Sequence, residues 1–206
     1  MPNSICFGRQ YGSGGREIAA LVAKELDYHY YDKELITLSA DHSNISRETA
    51  ETLDEKPTSS LLYSIATNQS AFTGNGAIGY HIPANDRLYI AQSEVITGIA
   101  QTENAVFVGR CSDYFLRDKD HVLSVFIYGD NEHRISRVMQ RNGCDERKAA
   151  ELMKKTDRRR ASYYNFYTGP KWGDMQNYDL CVNSSMLGIE ESARLIANVA
   201  RSYFAM

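Results

Sequence analysis

The sequence predicts an α/β fold, with a five-stranded parallel sheet as the middle of three layers and helices on both faces. Three observations lead there. Short apolar runs alternate with longer segments of helical period, the pattern of strand–helix–strand units. The first apolar run, Ser4-Ile5-Cys6-Phe7, passes through a glycine-rich turn directly into a helical period. Several of the runs then stop on polar or charged residues, as strands do when their carboxyl ends face a cleft.

The elements follow in order. Gly8 cuts off the first run, and a turn-rich stretch follows, Gly8-Arg9-Gln10-Tyr11-Gly12-Ser13-Gly14-Gly15. Ile18, Ala19, Leu21, Val22, Ala23 and Leu26 then recur at helical spacing. Asp27 to Asp32 reads as an aromatic second strand ending on an acid. The polar stretch from Lys33 to about Thr73 reads as helical pieces broken at Pro57. Thr73-Gly74-Asn75-Gly76-Ala77-Ile78-Gly79 reads as a loop or hairpin. Asp86 to Thr102 has helical period, and Ala105 to Val108 and Val122 to Ile127 are the third and fourth strands. Two basic helices are predicted, Asn131 to Arg141 and about Asp145 to Tyr164. Leu180-Cys181-Val182 is the fifth strand, and Ile189 to Phe204 a closing amphipathic helix. No repeat or composition shift divides the chain. It reads as one domain over residues 1–206, with an insert or acceptor region near 33–85 and an arginine-rich lid region near 145–170.

Bulk composition narrows the function. The net charge of −3 gives no global attraction to nucleic acid or acidic membranes, so anions must be met by local clusters. No apolar run is long enough to span a bilayer, and no basic, apolar leader opens the chain. The expectation is a cytoplasmic protein with no nucleic-acid or membrane partner. The four cysteines, Cys6, Cys111, Cys144 and Cys181, form no Cys-x-x-Cys pair, so they read as free thiols rather than metal ligands.

The glycine turn carries the chemistry. Glycines let successive backbone N–H groups turn inward, and a helix N-terminus adds partial positive charge. Gly12, Gly14 and Gly15 supply that geometry, and Ser13 can add a hydroxyl donor. The same turn also serves as a plain strand-to-helix connection. Against the phosphate-loop pattern G-x-x-x-x-G-K-[ST], Arg9 stands at the first glycine, Gly15 at the lysine, and Arg16 and Glu17 in the next two places. The lysine that follows the migrating charge is missing. Arg16 or Arg9 can replace it, because guanidinium binds phosphate through a rigid fork. Two roles are open to Glu17: a magnesium ligand, or a helix first-turn acid with no metal role.

Other arms converge on the same cleft. Arg110 follows the third strand through Gly109 and can clamp an acceptor phosphate, or pair with Asp113 or Asp118 on the surface. Asp32 can bind an acceptor hydroxyl, act as a base or cap a helix; Lys33 is a weaker neighbour. Arg134, Arg137 and Arg141, at i, i+3 and i+7, share a helix face. The run Lys154-Lys155-Thr156-Asp157-Arg158-Arg159-Arg160 concentrates charge that can neutralise a phosphoryl transition state as a lid closes, or simply solvate a helix. Asp157 and Arg160 can share a face and orient each other, whereas Arg158 and Arg159 read as facing water. Tyr163, Tyr164, Phe166, Tyr167 and Trp172 read as core or lid packing.

Taken together these landmarks resemble the cytidylate kinase-like family. The likeness rests on Gly12-Ser13-Gly14-Gly15-Arg16-Glu17-Ile18-Ala19, Tyr31-Asp32-Lys33-Glu34-Leu35-Ile36, Val108-Gly109-Arg110, the Arg134/Arg137 helix, Asp157-x-x-Arg160-Ala161-Ser162-Tyr163-Tyr164, and Tyr178-Asp179-Leu180-Cys181-Val182-Asn183-Ser184. It implies a three-layer P-loop NTPase fold with a short arginine lid, using ATP and Mg2+. Arg9, Gly12, Ser13, Gly14, Gly15, Arg16 and Glu17 would hold the nucleotide, and no residue is assigned to the metal. Asp32, Lys33, Arg110, Asp157 and Arg160 would hold the acceptor. Arg16, Arg137, Arg141 and Arg160 would stabilise the transition state. Cys111 replaces the aspartate that cytidylate kinases proper carry after the glycine-arginine, and their serine and arginine after the second strand are not evident. The implied activity is transfer of the γ-phosphoryl of ATP to a small acceptor, with a nucleoside monophosphate the inherited expectation. A nucleotide-binding regulator without catalysis and a kinase of a non-nucleotide metabolite are the alternatives.

Overall fold

The computed structural model describes residues 1–57 and 82–205. The expected loop at Thr73 to Gly79 and the helical pieces beyond Pro57 lie outside the described residues. The strands are β1 (Ser4–Arg9), β2 (His29–Tyr31), β3 (Ala105–Val108), β4 (Val122–Tyr128) and β5 (Leu180–Asn183). The α-helices are α1 (Gly15–Leu26), α2 (Glu34–Ser43), α3 (Arg47–Leu53), α4 (Ala84–Thr102), α5 (Ser112–Leu116), α6 (Asn131–Asn142), α7 (Glu146–Thr168) and α8 (Ser184–Phe204).

The five strands form one sheet in the order β2-β3-β1-β4-β5, with every pairing parallel. β1 lies in the middle and is buried along its whole length. Ile5 and Phe7 pack with Val106, Val108, Val125 and Ile127 against α1 and α8. Cys6 and Phe107 face the other way, toward Leu35 of α2, Ile96 of α4 and Leu116 of α5. A strand covered on both faces has no polar side to show, so it reads as an unbroken apolar run. Cys6 and Cys111 are buried and all four cysteines are free thiols, as composition suggested.

Three boundaries differ from the sequence reading. β1 does not stop at Gly8; Gly8 pairs with Phe126 and Arg9 with Ile127. Gly8 is required there because a Cβ would lie 2.7 Å from Phe126 Cδ2, a demand of close packing rather than of a turn. α7 continues to Thr168, beyond Tyr164. α8 begins at Ser184 and is interrupted at Gly188, whose φ of 77° and ψ of 178° are not helical.

A small satellite core sets up one wall of the site. Ile36 and Ala40 of α2, Ala50 of α3 and Leu88 of α4 pack together, with Leu53 against them. Ser46 caps α3 by accepting from the Thr49 amide. The chain that leaves α3, Asp54-Glu55, is thereby delivered to the carboxyl end of the sheet. No helix among the described residues is long and apolar enough to cross a membrane.

Candidate active site

The turn between β1 and α1 closes on itself. Gly12 and Gly14 adopt left-handed backbone, with φ of 83° and 77°. Ser13 is fully buried, and its hydroxyl donates to Gln10 O at 2.8 Å while Ser184 Oγ donates to Ser13 O at 2.7 Å. Ser13 therefore stiffens the loop, and its hydroxyl is directed to the loop's own backbone. Ile18 N–H reaches Gly14 O at 3.0 Å, so the amides of Gly15, Arg16 and Glu17 precede the first helical bond and have no intrahelical acceptor. They border a cleft of about 450 Å³ that Arg9, Gly12, Gly14, Arg141, Arg159 and Arg160 also line. Backbone donors at a helix N-terminus beside a basic cleft suit the phosphates of a nucleotide.

The missing lysine has a steric counterpart. A Cβ on Gly15 would lie 2.6 Å from Arg9 Cβ and 3.2 Å from Ile127 Cβ. Arg9, at the end of β1, fills the space that a side chain at position 15 would need. Arg9 is buried, and its guanidinium lies against Gly109, where a Cβ would stand 1.9 Å from Arg9 Nη1.

Arg110 is also buried, and its ion-pair partners are neither Asp113 nor Asp118. Arg110 Nη1 donates to Asp32 Oδ1 at 2.7 Å and to Val108 O at 2.9 Å, while Nε and Nη2 donate to Asp54 Oδ1 and Oδ2 at 3.2 and 3.0 Å. Gly109, Arg110 and Cys111 all have positive φ, at 76°, 52° and 57°. Two non-glycine residues in succession in that region are costly, and such strain persists only where surrounding contacts fix it. Asp32 receives a second cation: Arg16 Nε lies 2.5 Å from Asp32 Oδ2, with about half of the Arg16 side chain exposed. Asp32 does not cap α2, whose N-cap is the exposed Lys33, and Lys33 stands outside the cleft lining.

Asp54 and Glu55 were not legible as site residues. The Glu55 carboxylate is buried and meets Arg9 Nη2 at 3.0 Å, Arg160 Nε at 3.1 Å and Arg159 Nη2 at 3.8 Å. Burial alone would raise its pKa, but Arg9, Arg160 and Arg110 outweigh that and hold it far below the usual carboxylate range. Arg159 is exposed to water, as read, and also borders the cleft.

The three arginines of α6 diverge. Arg134 is buried; it donates to Tyr11 O at 2.9 Å and pairs closely with Asp157, whose Oδ1 accepts from Tyr11 N–H at 2.7 Å. Asp157 and Arg134 together clamp the loop backbone at Tyr11, tying α6 and α7 to it. Asp157 is thus engaged away from Arg160, whose Nη1 donates to Arg9 O at 3.2 Å. Arg137 Nη2 bonds both Glu17 oxygens at 2.8 Å. Arg141 stacks 4.6 Å over the Tyr11 ring. Arg137 and Arg141, with Gly12, Gly14 and Glu17, border a second recess of about 300 Å³ that opens beside the loop.

The aromatics pack much as expected. Tyr163 and Tyr164 are buried, Tyr167 stacks on Tyr89 at 4.2 Å, and Trp172 meets Phe126 edge-on at 5.5 Å. Phe166 is exposed. Tyr164 donates its hydroxyl to buried Asp113 at 2.7 Å. Burial pushes the Asp113 carboxyl up from 3.8 to about 6, against the pull of the Tyr164 hydroxyl and of the Asp113 and Tyr114 amides. Between those two values the folded chain binds the extra proton, so this group lowers stability as pH rises through the window. Asp113→Asn removes that penalty. The variant should exceed the parent by about 1–3 kcal/mol at pH 8, with the gap closing near pH 4, as urea midpoints at both pH values would show.

A profile of the cytidylate kinase-like family matches residues 4–186 of the chain. Over 100 residues the chain is 34% identical to a cytidylate kinase of Archaeoglobus fulgidus, a match covering 46% of this chain and 51% of that protein. A cytidylate kinase of Methanoculleus marisnigri is 26% identical over 121 residues, covering 59% and 65%. The chain thus spans between half and two thirds of the length of these relatives. The crystal structure of an uncharacterized protein from Eubacterium ventriosum superposes with a TM-score of 0.69 at 29% identity, over 98% of this chain and 99% of that one. A shikimate kinase from Bacteroides thetaiotaomicron shares the fold, with a TM-score of 0.52 at 12% identity over 97% and 98%.

Proposed function

Because the chain belongs to the cytidylate kinase-like family, we propose that it is a phosphotransferase moving the γ-phosphoryl group of ATP to a nucleoside monophosphate. The observation that supports it is the convergence of Arg9, Arg110 and Arg160, from three distant segments, beside a glycine loop that opens a helix. The amides of Gly15, Arg16 and Glu17 hold the donor phosphates. Arg137 and Arg141 flank the loop from α6, and Arg16 approaches from α1. Arg110 and Arg160 orient the acceptor, and Arg160 also faces the transferring group.

The chemistry asks little of the protein beyond position and charge. An acceptor phosphate oxygen attacks the γ-phosphorus, the bond to the β–γ bridging oxygen breaks, and ADP leaves. A phosphomonoester is largely dianionic at neutral pH, so no general base is required. Charge spreads over three equatorial oxygens in the transition state, and the arginines stabilise it. Family members pair ATP with Mg2+, which neutralises phosphate charge when bound. Among the described residues no group of three potential ligands forms. Glu17, the carboxylate beside the loop, is bound by Arg137 on both oxygens. These residues do not build a magnesium site of their own; an ion carried on the nucleotide keeps most of its waters.

One observation favours a second reading, a nucleotide-binding regulator without turnover: Arg16, the substitute for the lysine, is already engaged by Asp32. The test is ADP release with ATP, Mg2+ and a panel of nucleoside monophosphates and hydroxyl metabolites. CMP-dependent ADP release is expected, and Arg16→Ala should lower kcat by about 100-fold, the usual effect of removing one transition-state donor. Nucleotide-dependent thermal stabilisation with no ADP from any acceptor would replace the proposal with the second reading.

A further inference from the structure

In this structure the anion held by the arginine pocket belongs to the chain itself. Glu55 places its two carboxylate oxygens on two guanidinium groups, Oε1 on Arg9 and Oε2 on Arg160, with Arg159 behind. Two oxygens shared between arginines are also what a phosphomonoester offers to such a pocket. The two arginines need an anion between them. Burial and the nearby Arg9 charge lower the pKa of Arg160 to about 10, as happens when like charges are forced together out of water. Glu55 reaches this place at a backbone cost, for its φ of 52° is a left-handed conformation that a residue with a side chain seldom adopts. It is not part of a regular helix, since α3 ends at Leu53. The neighbouring Asp54 satisfies Arg110 in the same manner. The pocket arginines thus already carry carboxylate partners from the chain, Arg9 and Arg160 on Glu55 and Arg110 on Asp32 and Asp54.

We propose that Glu55 is an internal anion occupying the phosphate seat of the acceptor, and that it sets the pocket's selectivity by competing with that phosphate. This rests on the reading that the pocket takes an acceptor phosphate. A ligand with a single negative charge offers the arginines nothing that Glu55 does not already supply. A phosphomonoester brings more charge and a third oxygen, and displaces it. The departing Glu55 gives up its left-handed backbone, which offsets part of the lost pairing. Phosphate affinity is therefore held below what the arginines alone would give, and neutralising Glu55 raises it.

The experiment is calorimetric titration of inorganic phosphate, CMP and cytidine into the full chain and its Glu55→Gln and Glu55→Asp variants. Fluorescence of Trp172, the single tryptophan and part of the lining of the recess that contains Glu55, is a second readout. Glu55→Gln should bind phosphate and CMP at least 10-fold more tightly than the parent, and cytidine equally. Glu55→Asp, with the charge on a shorter stem, should fall between. Equal or weaker phosphate and CMP binding by Glu55→Gln overturns the inference. Should that variant fail to fold without ligand, Glu55→Asp carries the same comparison, and a lack of any gain there overturns it. ADP release in parallel separates the two ideas. Gain of phosphate affinity with no ADP from any acceptor sinks the phosphotransferase reading alone, whereas CMP-dependent ADP release with no gain sinks the internal-anion inference alone.

Discussion

The Gly12→Ala protein is expected to unfold roughly 10 °C below the parent, because two costs of about 1–3 kcal/mol each coincide at one position. The first is conformational: φ at Gly12 is 83°, where an L side chain crowds its own backbone. The second is steric. A Cβ there would stand 2.7 Å from the carbonyl oxygen of Arg134 and 3.0 Å from Val138 Cγ2. A flexible side chain could move aside, but the α6 backbone is anchored through Arg134, which itself holds Tyr11 and Asp157. Gly143→Ala separates the two terms. Gly143 also has positive φ, 59°, but an added Cβ would meet nothing within 4 Å. That variant should lose only the conformational part, about 1 kcal/mol. Thermal melts with and without ATP provide the measurement. The Gly12 variant should also lose its nucleotide-dependent shift, because the loop cannot keep its shape. Equal melting temperatures for the two variants would mean that α6 does not press on the loop as described.

Arg110→Met should be the more damaging change at the other wall. The substitution keeps length and much of the volume but deletes the charge, leaving Asp54 without its cation and Asp32 with Arg16 alone. Removing one partner of a buried ion pair costs about 3–5 kcal/mol, since the remaining charge stays desolvated. For a chain of this size that is a fall of about 6–20 °C in Tm. The sign of a second substitution is diagnostic. Asp54→Asn alone should destabilise, since it leaves Arg110 paired only to Asp32. In the Arg110→Met background it should stabilise, because it removes an orphaned charge. Urea midpoints for the parent, the two single variants and the double variant complete the cycle. If Asp54→Asn destabilises both backgrounds equally, Arg110 and Asp54 are not energetically coupled.

These two residues also mark where sequence reasoning reached and where it stopped. Arg110 stood out because it follows an apolar run through Gly109, and a strand end in a parallel sheet faces the cleft. Its partners were not evident. Asp113 and Asp118 are near in the chain, but the three consecutive left-handed residues at 109–111 carry the guanidinium toward Asp32 and Asp54. Period gave the strands and the long helices, since burial on one or two faces leaves a repeating apolar trace. It could not give Glu55, which lies after α3 in a polar stretch, far in sequence from Arg9 and Arg160. Arg134 illustrates a third kind of miss. Its spacing from Arg137 and Arg141 put all three on one face. Yet Arg134 is buried under the loop, Arg137 reaches Glu17 and Arg141 lies over Tyr11, because long side chains on one face still fan apart by several ångströms.

The contact between Arg9 and Gly15 reaches beyond this chain. The two positions have in effect traded places with the usual glycine and lysine of a phosphate loop, and each choice makes sense only beside the other. A lysine introduced at 15 alone would collide with the arginine, and a glycine at 9 alone would strip Glu55 of a cation and leave a void beneath the loop. Neither substitution fits this loop without the other. A search keyed to the lysine would pass over chains of this kind, whereas one that scores positions 9 and 15 jointly would collect them.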